Sequence, residues 1–238
     1  YGQYDRNLGD AKNWLGTTDA TLKAVDSRLT RVQDLTIQAD NGSLSTEART
    51  AIATELRAIA DEMLGLANTQ HLGRPIFSGS AGGSQAYDDS GAFLGDTRGV
   101  ERTIGSGMTT QVNAVGPEVF GIANPGDPAN GNVFEVIRDL ADQVESGAIV
   151  AGTLDSLNTA RSQVHTVQAT LGARLASVEK LESRNIDTTI ELQSALSETE
   201  DVDLTDAILE LKSQEASYTA ALNVTARILD RTLLDFLR

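Results

Sequence analysis

The chain of 238 residues contains no cysteine, a single tryptophan and few other aromatic residues. The absence of cysteine excludes disulfide bonds, thiol catalysis and cysteine-ligated metal sites. Aromatic residues make up only 4% of the chain although hydrophobic residues make up 40%. This imbalance favours long helices packed through Ala, Leu, Val and Ile over the compact core of a typical enzyme. No apolar run approaches the roughly 18 residues that a bilayer-spanning helix needs.

Basic residues are also scarce. The chain has 19 Lys and Arg residues against 34 Asp and Glu residues, a net charge of −15. Such a surface repels the phosphates of nucleic acids and the headgroups of anionic lipids. We therefore predict neither nucleic acid nor a membrane as a partner.

Histidine is limited to His71 and His165. Neither residue has a Ser, Cys or carboxylate neighbour at the spacing of a known motif, and no HExxH sequence occurs. A zinc site or a catalytic triad needs more ligands or partners than these two residues supply. We therefore predict structural roles for both histidines.

Acidic residues cluster around the Ser90-Gly91 pair, at Asp88, Asp89, Asp96 and Glu101. Paired carboxylates can bind calcium or cleave glycosides. This spacing fits no EF-hand loop, however, and acids beside glycine are common turn formers. We predict turns here, and overall we predict no catalytic residue, no metal site and no cofactor.

Three long stretches carry apolar or small residues in steps of three and four, which predicts amphipathic helices. They cover residues 1–39, 154–196 and Leu204–Phe236, and the first two have the heptad spacing of coiled coils. The pattern is already running at Tyr1 without a preceding N-cap, so we expect the natural protein to extend further upstream. An acidic run at residues 198–206 predicts a break before the third stretch.

Two shorter helices are predicted between these stretches. The Asn41-Gly42 pair ends the first helix, and Ser45 is a plausible N-cap for a second helix that reaches about Asn68. The short link predicts an antiparallel helical hairpin. A further apolar stripe runs from Val133 to Val144 and stops at Gly147.

Composition changes sharply at residues 73–131, which hold 13 of the 21 glycines, all four prolines and no lysine. Short alternating stretches between the glycines predict β-hairpins. We predict a mainly α fold: an elongated rod of long antiparallel helices with coiled-coil-like packing, formed by residues 1–72 and 133–238. Residues 73–132 form a small inserted β-rich domain in this prediction.

Four sequence stretches resemble the bacterial flagellin superfamily. They are QADNGSLSTE at 38–47, GRPIFSGS at 73–80, the Gly172-Ala-Arg174 element and the ending QEASYTAALNVTARILDRTLLDFLR. The resemblance covers nearly the whole chain, and the superfamily's N-terminal arm would precede Tyr1. It implies a structural component of the extracellular flagellum, exported by the flagellar type III apparatus.

Within the superfamily, the ending Leu233-Leu-Asp-Phe-Leu237 resembles the hook-associated branch, whose members join the hook to the filament. This implies a ring of copies that contacts another hook-associated protein and flagellin. It also implies an export chaperone that holds the C-terminal helix. The alternatives are a filament flagellin, a hydrolase or lectin-like insert on a helical scaffold, and a cytoplasmic coiled-coil adaptor.

The C-terminal stretch divides into two halves in this interpretation. Residues Leu204 to Tyr218 are predicted to be ordinary core, covered within the chain. The second half is predicted to contact other molecules because it extends past its intrachain partner, and exposed apolar surface of this kind favours protein contacts. Its predicted assembly residues are Leu222, Leu229, Leu233, Leu234 and Phe236.

Overall fold

The computed structural model describes residues 2–40, 44–121, 132–148, 152–200 and 204–236, and the side chains of 200, 204 and 229–236 lie outside this description. The helices are α1 (Gly2–Ala39), α2 (Thr46–Ala67), α3 (Gly116–Phe120), α4 (Val133–Ser146), α5 (Thr153–Glu200) and α6 (Leu204–Phe236). The strands are β1 (Gln70–His71), β2 (Arg74–Pro75), β3 (Glu101–Gly105) and β4 (Met108–Gln111). The chain divides into two compact units, residues 1–186 and 187–238. The predicted mainly α fold, with long helices and a small strand region, is confirmed.

Helix α1 buries the heptad stripe that its sequence predicts. The buried stripe consists of Leu8, Ala11, Leu15, Thr18, Leu22, Val25, Leu29 and Val32. Thr18 is the one polar residue among these eight, and its hydroxyl donates to the Trp14 carbonyl oxygen at 2.9 Å. The apolar period therefore sets the face that α1 turns towards the core.

Helices α2 and α4 begin and end at the predicted residues. Ser45 and Asn132 are the N-caps, accepting hydrogen bonds from the backbone N–H groups of Ala48 and Glu135. Gly147 ends α4 in the left-handed conformation at φ 81°, which glycine adopts without a steric penalty. Helix α2 packs against both α4 and α1.

Helix α5 lies antiparallel to α1 within the first unit. Lys12 forms an ion pair with Glu182 at 2.7 Å, Asp26 pairs with Arg161 at 2.9 Å, and Gln33 bonds Asn158 at 2.5 Å. As the residue number on α1 increases, the residue number of its partner on α5 decreases, so the two helices run antiparallel. The buried residues of α5 are Leu157, Val164, Leu171 and Val178, spaced by seven as in a coiled coil.

The segment between α2 and α4 contains two antiparallel hairpins, β1–β2 and β3–β4. The β3–β4 hairpin lies within residues 73–131, where the sequence predicts β-hairpins. The core of the segment is an aromatic cluster. Phe77 meets Phe120 edge-on at 5.2 Å between ring centroids, and Tyr87 meets Phe134 of α4 at 5.3 Å. The cluster joins this segment to the helices in one continuous hydrophobic core. The independent domain at 73–132 stays a prediction.

The predicted break in the acidic run falls at residues 201–203, which lie outside the described residues; α5 ends at Glu200 and α6 begins at Leu204. The burial predicted for Leu204–Tyr218 is wrong. Every described side chain from 205 to 228 is exposed, with Ile208 at 47% and Tyr218 at 68%. An apolar stripe shows that a helix face favours a partner, but the stripe cannot specify that the partner belongs to the same chain.

Among the described residues, no helix combines the length and apolar character that crossing a membrane requires.

Candidate assembly surface

Helix α6 carries exposed apolar side chains along most of its described length. At 1.5 Å per residue, the 33 residues of α6 extend over roughly 50 Å. Its exposed large side chains are Ile208, Leu209, Leu211, Tyr218, Leu222, Val224 and Ile228, between 47% and 68% accessible. Ile208, Leu211, Tyr218 and Leu222 are separated by three, seven and four residues and so lie on one side of the helix, whereas Leu209, Val224 and Ile228 lie on the other side. Exposed apolar surface marks protein-contact sites, and we define the side with Ile208 and Leu222 as the candidate assembly face.

The predicted assembly residues all lie within α6. Leu222 is 54% exposed. Leu229, Leu233, Leu234 and Phe236 belong to the helix by backbone, and their side chains lie outside the described residues. Steps of seven, four and three join Leu222, Leu229, Leu233 and Phe236 along one helical face, whereas Leu234 falls one step off it. Exposure of the remaining four residues stays a prediction.

The last turns of α5 are also apolar and exposed. Ile190 is 60% accessible and Leu196 is 54% accessible. Leu192, at 49%, had no place in the sequence-predicted stripe. Exposed apolar surface in the second unit is therefore not confined to α6.

His71 packs against α1. Its ring centroid lies 5.4 Å from that of Trp14, and its Nδ1 lies 3.5 Å from the Thr17 hydroxyl. Its Nε2 is 3.9 Å from a carboxylate oxygen of Asp10, which accepts a hydrogen bond from Arg102 at 2.7 Å. These contacts hold both hairpins against α1.

His165 lies 3.3 Å from Asp26, the carboxylate that also binds Arg161. In the part of the chain that the structure describes, no group of three or more His, Cys, Asp or Glu side chains could hold a metal ion.

Asp88 and Asp96 close turns as predicted, whereas Glu101 is the first residue of β3 and the turn predicted there is wrong. Asp88 accepts hydrogen bonds from the backbone N–H groups of Ser90 and Ala92 and from the Ser90 hydroxyl. The Ser90 hydroxyl and the Ala92 N–H lower the pKa of Asp88. Carboxylates engaged in this way close turns, as their position beside glycine predicts.

Asp96 does the same for the neighbouring loop. It accepts from the Ser80 hydroxyl and from the Ser80 backbone N–H, both at 2.7 Å, and these bonds lower the pKa of Asp96. The prediction of turns is confirmed at both carboxylates.

Two surface features of the first unit have no counterpart in the sequence predictions. A groove of about 780 Å³ runs along α5, and its lining includes Ala114, Glu118, Asp155, Val167, Leu171 and Arg174. The groove joins segments about 40 residues apart, so no local sequence pattern indicates it. The other feature is Leu72 at the tip of the β1–β2 hairpin, which is 84% exposed with φ 50°. A two-residue Leu-Gly turn between two short strands was the available signal.

Comparison with known proteins gives similarities along the whole chain. Residues 1–81 match the bacterial flagellin N-terminal helical region. Flagellar hook-associated protein 3 of Escherichia coli strain K12 is 25% identical over 227 residues, covering 85% of this chain and 72% of that protein. The flagellar junction protein FlgL of Legionella pneumophila has a similar fold, with a TM-score of 0.66, 18% identity, and coverage of 81% of this chain and 93% of that one.

Similarity to filament proteins is more local. Flagellin 1 of Proteus mirabilis is 33% identical over 78 residues, which cover 32% of this chain and 21% of that flagellin.

Proposed function

We propose that this chain, whose residues 1–81 match the bacterial flagellin N-terminal helical region, is a structural subunit of the flagellum that joins the hook to the filament. One observation carries the proposal: the difference in extent between the two kinds of similarity. The match to a hook-associated protein extends over 85% of the chain, whereas the matches to three flagellins cover between 32% and 48% of it. A filament flagellin would be expected to match flagellins over both its N-terminal and C-terminal helices.

The assembly face of α6 supports a mechanical role. A 33-residue helix without tertiary cover is marginally stable in water, because packing of an amphipathic face supplies most helical stability in proteins. Full burial of one leucine contributes about 1.5–3 kcal/mol. Covering Leu222, Leu229, Leu233, Leu234 and Phe236 in an assembly would therefore both order α6 and hold the subunit in place.

The proposed partners are neighbouring copies in a ring, another hook-associated protein and flagellin. The subunit leaves the cell through the flagellar type III apparatus. A flagellar export chaperone covers α6 before assembly, and the exposed apolar side chains from Ile208 to Ile228 support this part of the proposal.

We propose no enzymatic activity for the chain. Asp88 and Asp96 were the carboxylates on which a hydrolase hypothesis would depend, and both accept hydrogen bonds that close turns. If an activity were present, Asp88→Asn or Asp96→Asn would abolish it without affecting motility. We expect no measurable hydrolase or sugar-binding activity in the unsubstituted chain.

A deletion strain tests the proposed function. Cells without this protein should build complete hooks, lack filaments and shed flagellin into the medium, and the wild-type gene supplied in trans should restore filaments. Normal filaments in the deletion strain would refute the junction role. If the purified chain polymerises alone into long filaments, the flagellin alternative is favoured. If the protein is found inside cells and is absent from sheared flagella, a cytoplasmic adaptor is favoured.

A further inference from the structure

Leu72, at the tip of the β1–β2 hairpin, is a poor match both for the backbone conformation of the turn and for its exposure to solvent. Leu72 and Gly73 are the two central turn residues, with φ 50° and 77°. Positive φ at both positions is the type I′ turn, which favours Asn, Asp or Gly. Leu72 instead places a branched apolar side chain in the left-handed region and leaves 84% of it exposed. Backbone outliers of this kind are enriched at ligand contacts and other functional sites.

The hairpin tip also carries a positive charge. Arg74 pairs with His71 in the hairpin register, is exposed, and has its guanidinium 6.0 Å above the Trp14 ring. Among the described residues, no carboxylate forms an ion pair with it. The tip is therefore an apolar side chain beside an unneutralised cation, on a chain whose net charge is −15.

The groove along α5 complements this tip. Its apolar lining includes Ala114, Val167 and Leu171, with Leu171 2% and Ala114 2% exposed. Glu118 and Asp155 also line it, and both are exposed carboxylates. Arg174 lines it too, and its guanidinium donates hydrogen bonds to the Asn113 carbonyl oxygen and the Gln111 side chain. A leucine side chain fits a groove of about 780 Å³, and a lining with two acids and one base attracts the charge of Arg74.

We propose that Leu72 and Arg74 of one copy of this chain dock in the α5 groove of a second copy. The tip and the groove are different surfaces, since Leu72 does not line the groove. The contact is therefore head-to-tail, the type of contact that generates rings or helical arrays. This inference rests on the proposed function, because it names the surfaces by which neighbouring subunits meet.

Photo-crosslinking tests the contact directly. The photoreactive residue p-benzoylphenylalanine, which keeps an apolar side chain, replaces Leu72, and the purified chain is mixed with isotopically heavy wild-type chain and irradiated. We expect crosslinks from position 72 of the light chain to residues 114–118 or 155–174 of the heavy chain. The same photoreactive residue at Leu94, which is 56% exposed, is the matched control. A yield no higher than that of the control, or crosslinks that map elsewhere, overturns the proposal.

Charge reversal provides the second arm. Arg74→Glu should lower the crosslink yield several-fold, and combining it with Glu118→Arg on the heavy partner should restore part of the yield. Equal yields for all charge combinations would contradict the assigned groove.

A third arm uses Leu72→Asn, which suits the turn. It should raise the melting temperature of the isolated chain by about 2–4 °C, while the substituted chain fails to compete with wild-type chain in the crosslinking assay. A lower melting temperature, or full competition, overturns the inference. These experiments use purified protein, so their failure is distinguishable from a failure of the deletion-strain test of the proposed function.

Discussion

Glycine illustrates how the surroundings of one residue decide the effect of a substitution. A Cβ atom at Gly9 or Gly16 of α1 would meet no atom within 4 Å. Gly79 has φ 70°, and a Cβ atom there would collide with the backbone carbonyl of Asp96. Glycine therefore lowers the stability of α1 at Gly9 and Gly16, whereas the loop at Gly79 has no room for a side chain.

We expect Gly16→Ala to stabilise the chain by about 1 kcal/mol, because alanine is favoured over glycine in a helix interior by that amount. Gly79→Ala should be destabilising, since the methyl group adds a steric collision to an unfavourable φ. Chemical denaturation of both variants measures the free energy of unfolding. The two stability changes need not be equal in size. A destabilising effect of Gly16→Ala would contradict the open surroundings of Gly16.

Asp96 gives a pH-dependent contribution of known sign. Hydrogen bonds from Ser80 hold the pKa of Asp96 below its unfolded value. The stabilisation is therefore present above the unfolded pKa, about 3.9, and is lost as the pH falls through the folded pKa. We expect the melting temperature of the Asp96→Asn variant to fall less than that of wild type between pH 6 and about pH 3. Parallel curves would show that Asp96 does not contribute.

Helix termini show how single side chains join separate elements. Asn132 is fully buried, caps α4 through its side-chain oxygen, and donates from Nδ2 to the Gly91 carbonyl oxygen at 2.6 Å. It thereby connects the loop at 88–92 to the start of α4. The cap was detectable as a polar residue before an apolar stripe, but the bond to Gly91 was not, because its partner is 41 residues away.

We expect Asn132→Ala to destabilise the chain by about 2 kcal/mol or more, through loss of the cap and of the buried bond to Gly91. Asn132→Ser keeps a capping oxygen and should cost less than Asn132→Ala. Thermal or chemical denaturation of the two variants separates the two contributions. Equal losses would show that the cap contributes little.

Because the described side chains of α6 are exposed, we expect substitutions there to affect assembly without lowering the stability of the isolated chain. Leu222→Asp should leave the melting temperature of the isolated chain nearly unchanged, because Leu222 is 54% exposed. It should prevent filament attachment in cells, because a charge is placed on a face that assembly buries. Asn223→Asp adds the same charge at the adjacent exposed position and is the control. A large fall in melting temperature for Leu222→Asp would show that the residue is intramolecular core.

The whole molecule concentrates its core in one of its two units. The described hydrophobic core, with the residues packed against it, extends from Leu8 to Leu181, within residues 1–186. The second unit, residues 187–238, has exposed side chains at every described position of α6. The described core and the exposed apolar side chains of α6 therefore lie in different parts of the chain.

We expect a fragment of residues 1–186 to unfold at the same midpoint as the full chain, because truncation removes none of the described core. In the full chain, circular dichroism should show loss of helical signal before this midpoint as α6 melts. The fragment, lacking α6, should not show the early loss. A fragment that fails to fold would mean that residues 187–238 contribute to the core.

Sequence by itself determined the local structure. Helix boundaries at Ser45, Gly147 and Glu200 follow from caps, breakers and charge, and the buried stripe of α1 follows from its heptad spacing. These features depend on residues a few positions apart, so a local pattern is sufficient to predict them.

Only the tertiary structure decided which apolar faces are covered. Residues 205–218 of α6 have the same periodicity as α1, yet they are exposed. The groove along α5 and the bond from Asn132 to Gly91 likewise depend on segments distant in sequence. Burial is a property of two surfaces that meet, and one surface's sequence does not identify its partner.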